Sequence, residues 1–85
     1  MKRVVQPAGE VFGRRLRELR HKHGVTQDAL VDASGLTKAH ISNMENGFAV
    51  PSLITVLRLA VALDCKVMDL VGVFDKTDLP AILPK

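Results

Sequence analysis

The chain contains no tryptophan and no tyrosine, and only three phenylalanines. Binding of unpaired nucleotides leans on aromatic side chains that stack bases. With no such platform, RNA binding is disfavoured. One cysteine, Cys65, cannot close a disulfide within the chain, which fits a reducing compartment. Long apolar runs are missing too. The stretch Leu59 to Leu63 falls far short of the roughly 20 residues a membrane helix needs. The opening MKRVVQPAGE has no long apolar stretch and no small-residue cleavage site, so it reads poorly as a signal peptide. A cytoplasmic protein is expected. Neither a nucleophile beside a base nor a phosphate-cradling glycine loop is visible. His21, His23 and His40 lack the cysteine or carboxylate that would complete a recognised metal spacing. No enzyme activity, cofactor or metal is expected, and Cys65, with no resolving cysteine, is expected as a small apolar residue.

What is present is one small domain of 85 residues. A chain of this size buries roughly 60% of the surface its unfolded form exposes, so its core must be economical. The charge is uneven. Residues 1–40 carry eight Lys/Arg and four Asp/Glu, net +4; residues 41–85 carry four and five, net −1. A basic half beside a near-neutral half points to a polyanion on one side and something else on the other.

Turn signals at Gly24, Ser34-Gly35, Gly47, Pro51 and Asp64 separate segments of helical period. The first, about 8–22, places Phe12, Leu16 and Leu19 on one stripe. The next two start alike. In VTQDAL, Thr26 is an N-cap and Val25 can reach Leu30. In LTKAHI, Thr37 is an N-cap and Leu36 can reach Ile41. These short helices, about 27–33 and 38–46, are joined through Ser34-Gly35-Leu36, the form of a helix-turn-helix. A fourth helix starts after Pro51, with Ser52 as cap, and runs to about Leu63. Its core stripe is expected to be Leu53, Leu57, Ala60 and Leu63. A fifth covers about 67–72. The tail FDKTDLPAILPK shows little period. The expected class is all-α.

In the third segment, TKAHISNMENG, Ile41, Met44 and Glu45 fall on one side. Lys38, Ala39, Ser42, Asn43 and Asn46 fall on the other, a face with no carboxylate. A merely soluble helix is expected to scatter acids among its cations.

Three stretches in order, LRELRHKHGVTQDAL, SGLTKAHISNMENG and PSLITVLRLAVALDCKVMDL, make the chain resemble the Cro/C1-type helix-turn-helix domain of phage repressors and related bacterial regulators. The resemblance spans about Phe12 to Val71. It implies a compact five-helix, lambda-repressor-like fold over 9–74, between an arm (1–8) and a tail (75–85). The third helix would lie in the DNA major groove. It also implies base reading by Lys38, Ala39, Ser42 and Asn43. Phosphate contacts would come from Thr26, Gln27 and Asn46, with Arg14, Arg17 and His40 as further candidates. Arg20 and Glu45 match an ion pair between the first and third helices. Val31, where the family prefers alanine, and Phe48, where a cation often stands, depart from the pattern.

The second half holds more apolar surface than one core stripe uses. Ile54, Val61, Val67, Val71, Val73 and Phe74 are expected at a two-fold dimer interface. A tail folded back over that surface is the competing expectation. The leading functional expectation is a homodimeric repressor reading an inverted repeat in double-stranded DNA. With no room for a ligand domain, its control would come from concentration and dimerisation. The alternative is an antitoxin that offers its second half or tail to a protein toxin. The arm MKRVVQ is left open between reaching a minor groove and lying free.

Overall fold

The computed structural model describes residues 3–84. The expected arm therefore has its first two residues outside the described range. Helix α1 spans Pro7–Lys22, α2 Gln27–Ser34, α3 Lys38–Glu45, α4 Leu53–Ala62 and α5 Val67–Val71. A 3-10 helix, Gly72–Lys76, follows without a break, and a short α6, Leu79–Ile82, closes the tail. No strand occurs among the described residues. The tail is thus more ordered than its lack of period implied. Pro80 sits in the first turn of α6, where a missing N–H costs nothing because no carbonyl waits for it.

Each of the three central helices begins at a hydroxyl. Thr26 accepts from the Ala29 amide at 3.0 Å, Thr37 from His40 at 3.1 Å and Ser52 from Thr55 at 3.2 Å. Such caps satisfy donors that a helix start leaves orphaned, about 1 kcal/mol each. Between α2 and α3, Gly35 adopts φ +73° and sends its N–H to the Val31 carbonyl at 3.0 Å. The buried Ser34 hydroxyl accepts the Leu36 amide at 3.1 Å. These two bonds turn the chain sharply into α3.

The core gathers Phe12, Leu16 and Leu19 of α1, Leu30 of α2, Ile41 and Met44 of α3, Val56, Leu59 and Ala60 of α4, then Leu63 and Leu70. Val25 and Leu36, the expected staples, pack against it, as does Val31. One expectation is corrected. The inward stripe of α4 is Val56, Leu59, Ala60 and Leu63; Leu53 is 71% exposed and Leu57 is exposed as well. Nearly every position of α4 is apolar, so hydropathy alone leaves its rotation undetermined. The observed rotation buries Thr55, whose hydroxyl accepts from the Ser52 cap Oγ at 3.1 Å.

Helix α1 comes unusually close to the end of α3. A Cβ on Gly13 would lie 2.1 Å from the Met44 carbonyl oxygen, and one on Gly9 would lie 3.0 Å from the Gly47 carbonyl oxygen. Only hydrogen fits at Gly13. Farther along α1, Arg15 Nε donates to the Asp69 carbonyl at 2.7 Å and ties α5 to the same helix.

Candidate nucleic-acid interface

The site is built from the inside outward, beginning with one buried carboxylate. Glu45 ends α3 with its side chain fully buried. Arg20 clasps it with two bonds: Nε donates to Oε2 at 2.6 Å and Nη2 to Oε1 at 3.0 Å. Gln27 Nε2 adds a bond to Oε1 at 3.1 Å, and Arg17 Nε adds a longer one at 3.4 Å. Arg20 also donates to the Val25 carbonyl at 3.0 Å. Burial on its own raises the pKa of Glu45. The bonds from Arg20, Gln27 and Arg17, with the charge of Arg20, outweigh it and hold the carboxyl below its ordinary value of 4.5. One carboxylate thus joins α1, the start of α2 and α3. That arrangement fixes how far α3 can roll.

With Glu45 and Met44 turned in, α3 shows its other face to solvent. Lys38, Ala39 and Asn46 are exposed, and Ser42, Asn43 and His40 are half-buried. Helical geometry sets Lys38, Ala39, Ser42, Asn43 and Asn46 on one side, since residues advance by about 100° each. The start of α2 flanks this face. Thr26 is occupied there as a cap, and Gln27 bonds inward to Glu45. Of the arginines, Arg17 reaches across to Asn46, its Nη2 donating to Oδ1 at 3.0 Å, whereas Arg14 is paired with Glu10 at 3.1 Å on the open surface. Asn46 Nδ2 donates to Ser42 Oγ at 3.4 Å.

Three features of this face escape a reading of the sequence. Although α3 carries no acid outward, α2 lends one: Asp28 meets Lys38 Nζ at 3.0 Å. Both side chains are well exposed, so the pair is weak and easily exchanged for a phosphate or a base. Next, Arg3 of the arm lies on this face, bonded to Asn43. Phe48, whose amide donates to the Asn43 carbonyl at 2.9 Å, sits beneath the arginine. The only sequence signal for these contacts is the basic arm itself; long-range proximity is not written in local spacing.

The apolar half behaves differently. Ile54 is 61% and Val61 81% exposed. They form a stripe with Leu53 and Leu57, and a shallow groove runs between that stripe and Ala33-Ser34 of α2, with Arg58 at its side. Of the other residues expected at an interface, Val67, Val71 and Phe74 pack against their own core, and Val73 is half-buried. The exposed stripe is therefore centred on α4 rather than on the fifth helix. The tail does not cover it. Ile82, Leu83 and Pro84 instead line a second apolar groove with Val4, Val5, Pro7 and Val50. Cys65 is half-buried, and burial, with help from Asp69 and Asp64, raises its pKa against the opposing charge of Arg15. A thiol held protonated in this way is a poor nucleophile.

No helix among the described residues is long and apolar enough to cross a membrane. A family model described as a helix-turn-helix domain matches residues 11–70. An uncharacterized helix-turn-helix-type transcriptional regulator of Sinorhizobium fredii is 32% identical over 68 residues, covering 80% of this chain and 88% of that protein. The competence pilus inhibition repressor of Acinetobacter baylyi is 43% identical over 56 residues, 66% of this chain; the match takes in 51% of that repressor. Among solved structures, the restriction-modification controller protein C.AhdI from Aeromonas hydrophila superposes with a TM-score of 0.70 at 40% identity, over 73% of this chain and 94% of its own. With the buried clasp, the capped pair of helices and these likenesses in hand, the chain belongs to the Cro/C1-type helix-turn-helix family of DNA-binding transcriptional regulators.

Proposed function

We propose that this protein is a cytoplasmic, homodimeric repressor that reads an inverted repeat with α3 in the major groove. The observation that carries this reading is the outward face of α3. It combines a cation, a methyl, a hydroxyl and amides, while the helix's one carboxylate is clasped on the inner side by Arg20. Lys38 can donate to guanine, Ala39 can touch a thymine methyl, and Ser42 and Asn43 can bond base edges. The helix starts at Gln27 and Lys38 offer amides to phosphates, with Asn46, Arg14, Arg17 and His40 around them. The exposed stripe Leu53, Ile54, Leu57 and Val61 suits isologous contact with a second copy. Such a dimer would set two copies of α3 about 34 Å apart, one turn of DNA.

The test is fluorescence anisotropy with the DNA flanking the protein's own gene, scrambled DNA as control, and a salt titration. Preference for the native DNA on the order of 10³ or more, reduced in Asn43→Ala, supports a site-specific regulator. Equal, salt-sensitive binding to both DNAs overturns it. In that event an antitoxin role is tested next, by co-purification with the product of a small neighbouring reading frame.

A further inference from the structure

Arg3 stands on the arm, outside every helix, yet its guanidinium is held at two points. Nη1 donates to Asn43 Oδ1 at 2.6 Å. Its Cζ lies 5.6 Å from the centroid of the Phe48 ring, within the range of a cation–π contact. A third contact aims the arm: the Gln6 N–H donates to the Gly47 carbonyl at 2.8 Å, just past the end of α3. Extended chain covers roughly 3.4 Å per residue. The three residues from Gln6 to Arg3 are therefore enough to run one turn back along α3, to Asn43.

This contact changes what position 43 offers to DNA. A free asparagine amide reads adenine by accepting from N6 and donating to N7. A guanidinium has only donors, so Arg3 takes the amide oxygen. The charge-assisted bond holds that oxygen toward the arm. What remains outward is the Asn43 Nδ2–H pair together with the unused N–H groups of Arg3, a set composed of donors. In the major groove guanine presents two acceptors, N7 and O6, whereas adenine presents one acceptor beside a donor.

We infer that Arg3 and Asn43 form one composite base reader, in which Arg3 turns position 43 from an adenine reader into a guanine reader. The inference rests on α3 being the DNA-reading helix. It assigns Arg3 to the major groove and makes it a specificity-determining residue.

The experiment selects bound sequences from a pool of duplexes with a randomised central segment. It uses wild type, Arg3→Ala and Asn43→Ala, with thermal melts to show that each variant is folded. Wild type should enrich guanine at one position per half-site by roughly tenfold or more. Asn43→Ala should lose that preference. Arg3→Ala should move it to adenine, with the melting midpoint unchanged. If Arg3→Ala weakens all sequences alike and leaves guanine preferred, Arg3 is a phosphate contact and the composite reader is wrong. Adenine preferred by wild type at that position also overturns it. A wild-type pool enriched at no position overturns the DNA-reading assignment of α3 itself, a failure distinct from the other two.

Discussion

The first three helices and the fourth present surfaces of opposite construction. Helices α1 to α3 are joined by directional polar bonds, four of them converging on the Glu45 carboxylate. Helix α4 carries Arg58 as its only charge and leaves Leu53, Ile54, Leu57 and Val61 in solvent. Hydrogen bonds are intolerant of small rotations, and hydrophobic contact is not. A face that must meet base edges needs an orientation fixed within hydrogen-bond tolerance. A face that must meet another apolar surface needs area. Under the proposed function, the two halves would let a small fold meet both demands without a large core.

The largest test of that contrast is Glu45→Ala. It leaves Arg20 buried without its partner and should cost about 3–5 kcal/mol, lowering the melting midpoint by more than about 10 °C. An unchanged midpoint would mean that packing alone orients α3. The same carboxylate predicts an acid limb. Its folded pKa lies below the ordinary 4.5, so its stabilisation is full above that value and is lost as pH falls through the folded pKa. Wild type should therefore lose midpoint below about pH 4.5, starting near the unfolded glutamate pKa. Glu45→Gln should lose less over that interval, and parallel curves would refute the assignment.

Next comes Gly13→Ala. Its Cβ would press on a backbone carbonyl, and overpacking of this kind costs about 1–3 kcal/mol, readable in urea unfolding. A neutral result would mean that α1 and α3 can separate at little cost. A smaller effect is expected of Asp28→Asn, which frees Lys38 from an exposed pair of about 0.2–1 kcal/mol. DNA affinity should rise up to about fivefold; a fall would assign Asp28 a direct role in binding. The smallest effect on the fold belongs to Val61→Glu, within about 0.5 kcal/mol. That variant should sediment as a monomer and bind DNA poorly while α1 to α3 stay intact. A Val61→Glu dimer would move the association surface away from α4.

Much of this was legible in the residues. The caps Thr26, Thr37 and Ser52, the turn at Gly35 and the stripe Phe12, Leu16, Leu19 depend on local geometry, which neighbouring residues determine. The partnership of Arg20 with Glu45 followed from the family pattern. The rotation of α4 was not legible, because a helix apolar on almost all sides has no unique inner stripe. Nor were the contacts of Arg3 with Asn43 and of Asp28 with Lys38, which form only once distant segments are brought together. The role of Gly13 was hidden for a related reason. A glycine inside a helix signals close approach only when the approaching backbone is known.

The inner side of α3 is fixed by Gly13, Arg20 and Glu45, while on its outer side Lys38 and Ser42 make only an exposed ion pair and a 3.4 Å hydrogen bond. If that outer side reads DNA as proposed, anchoring and reading fall on different side chains. On that reading, a lineage carrying this fold could exchange what it reads by single substitutions that leave the helix in place. The constraint would fall instead on a glycine and an ion pair turned away from that face.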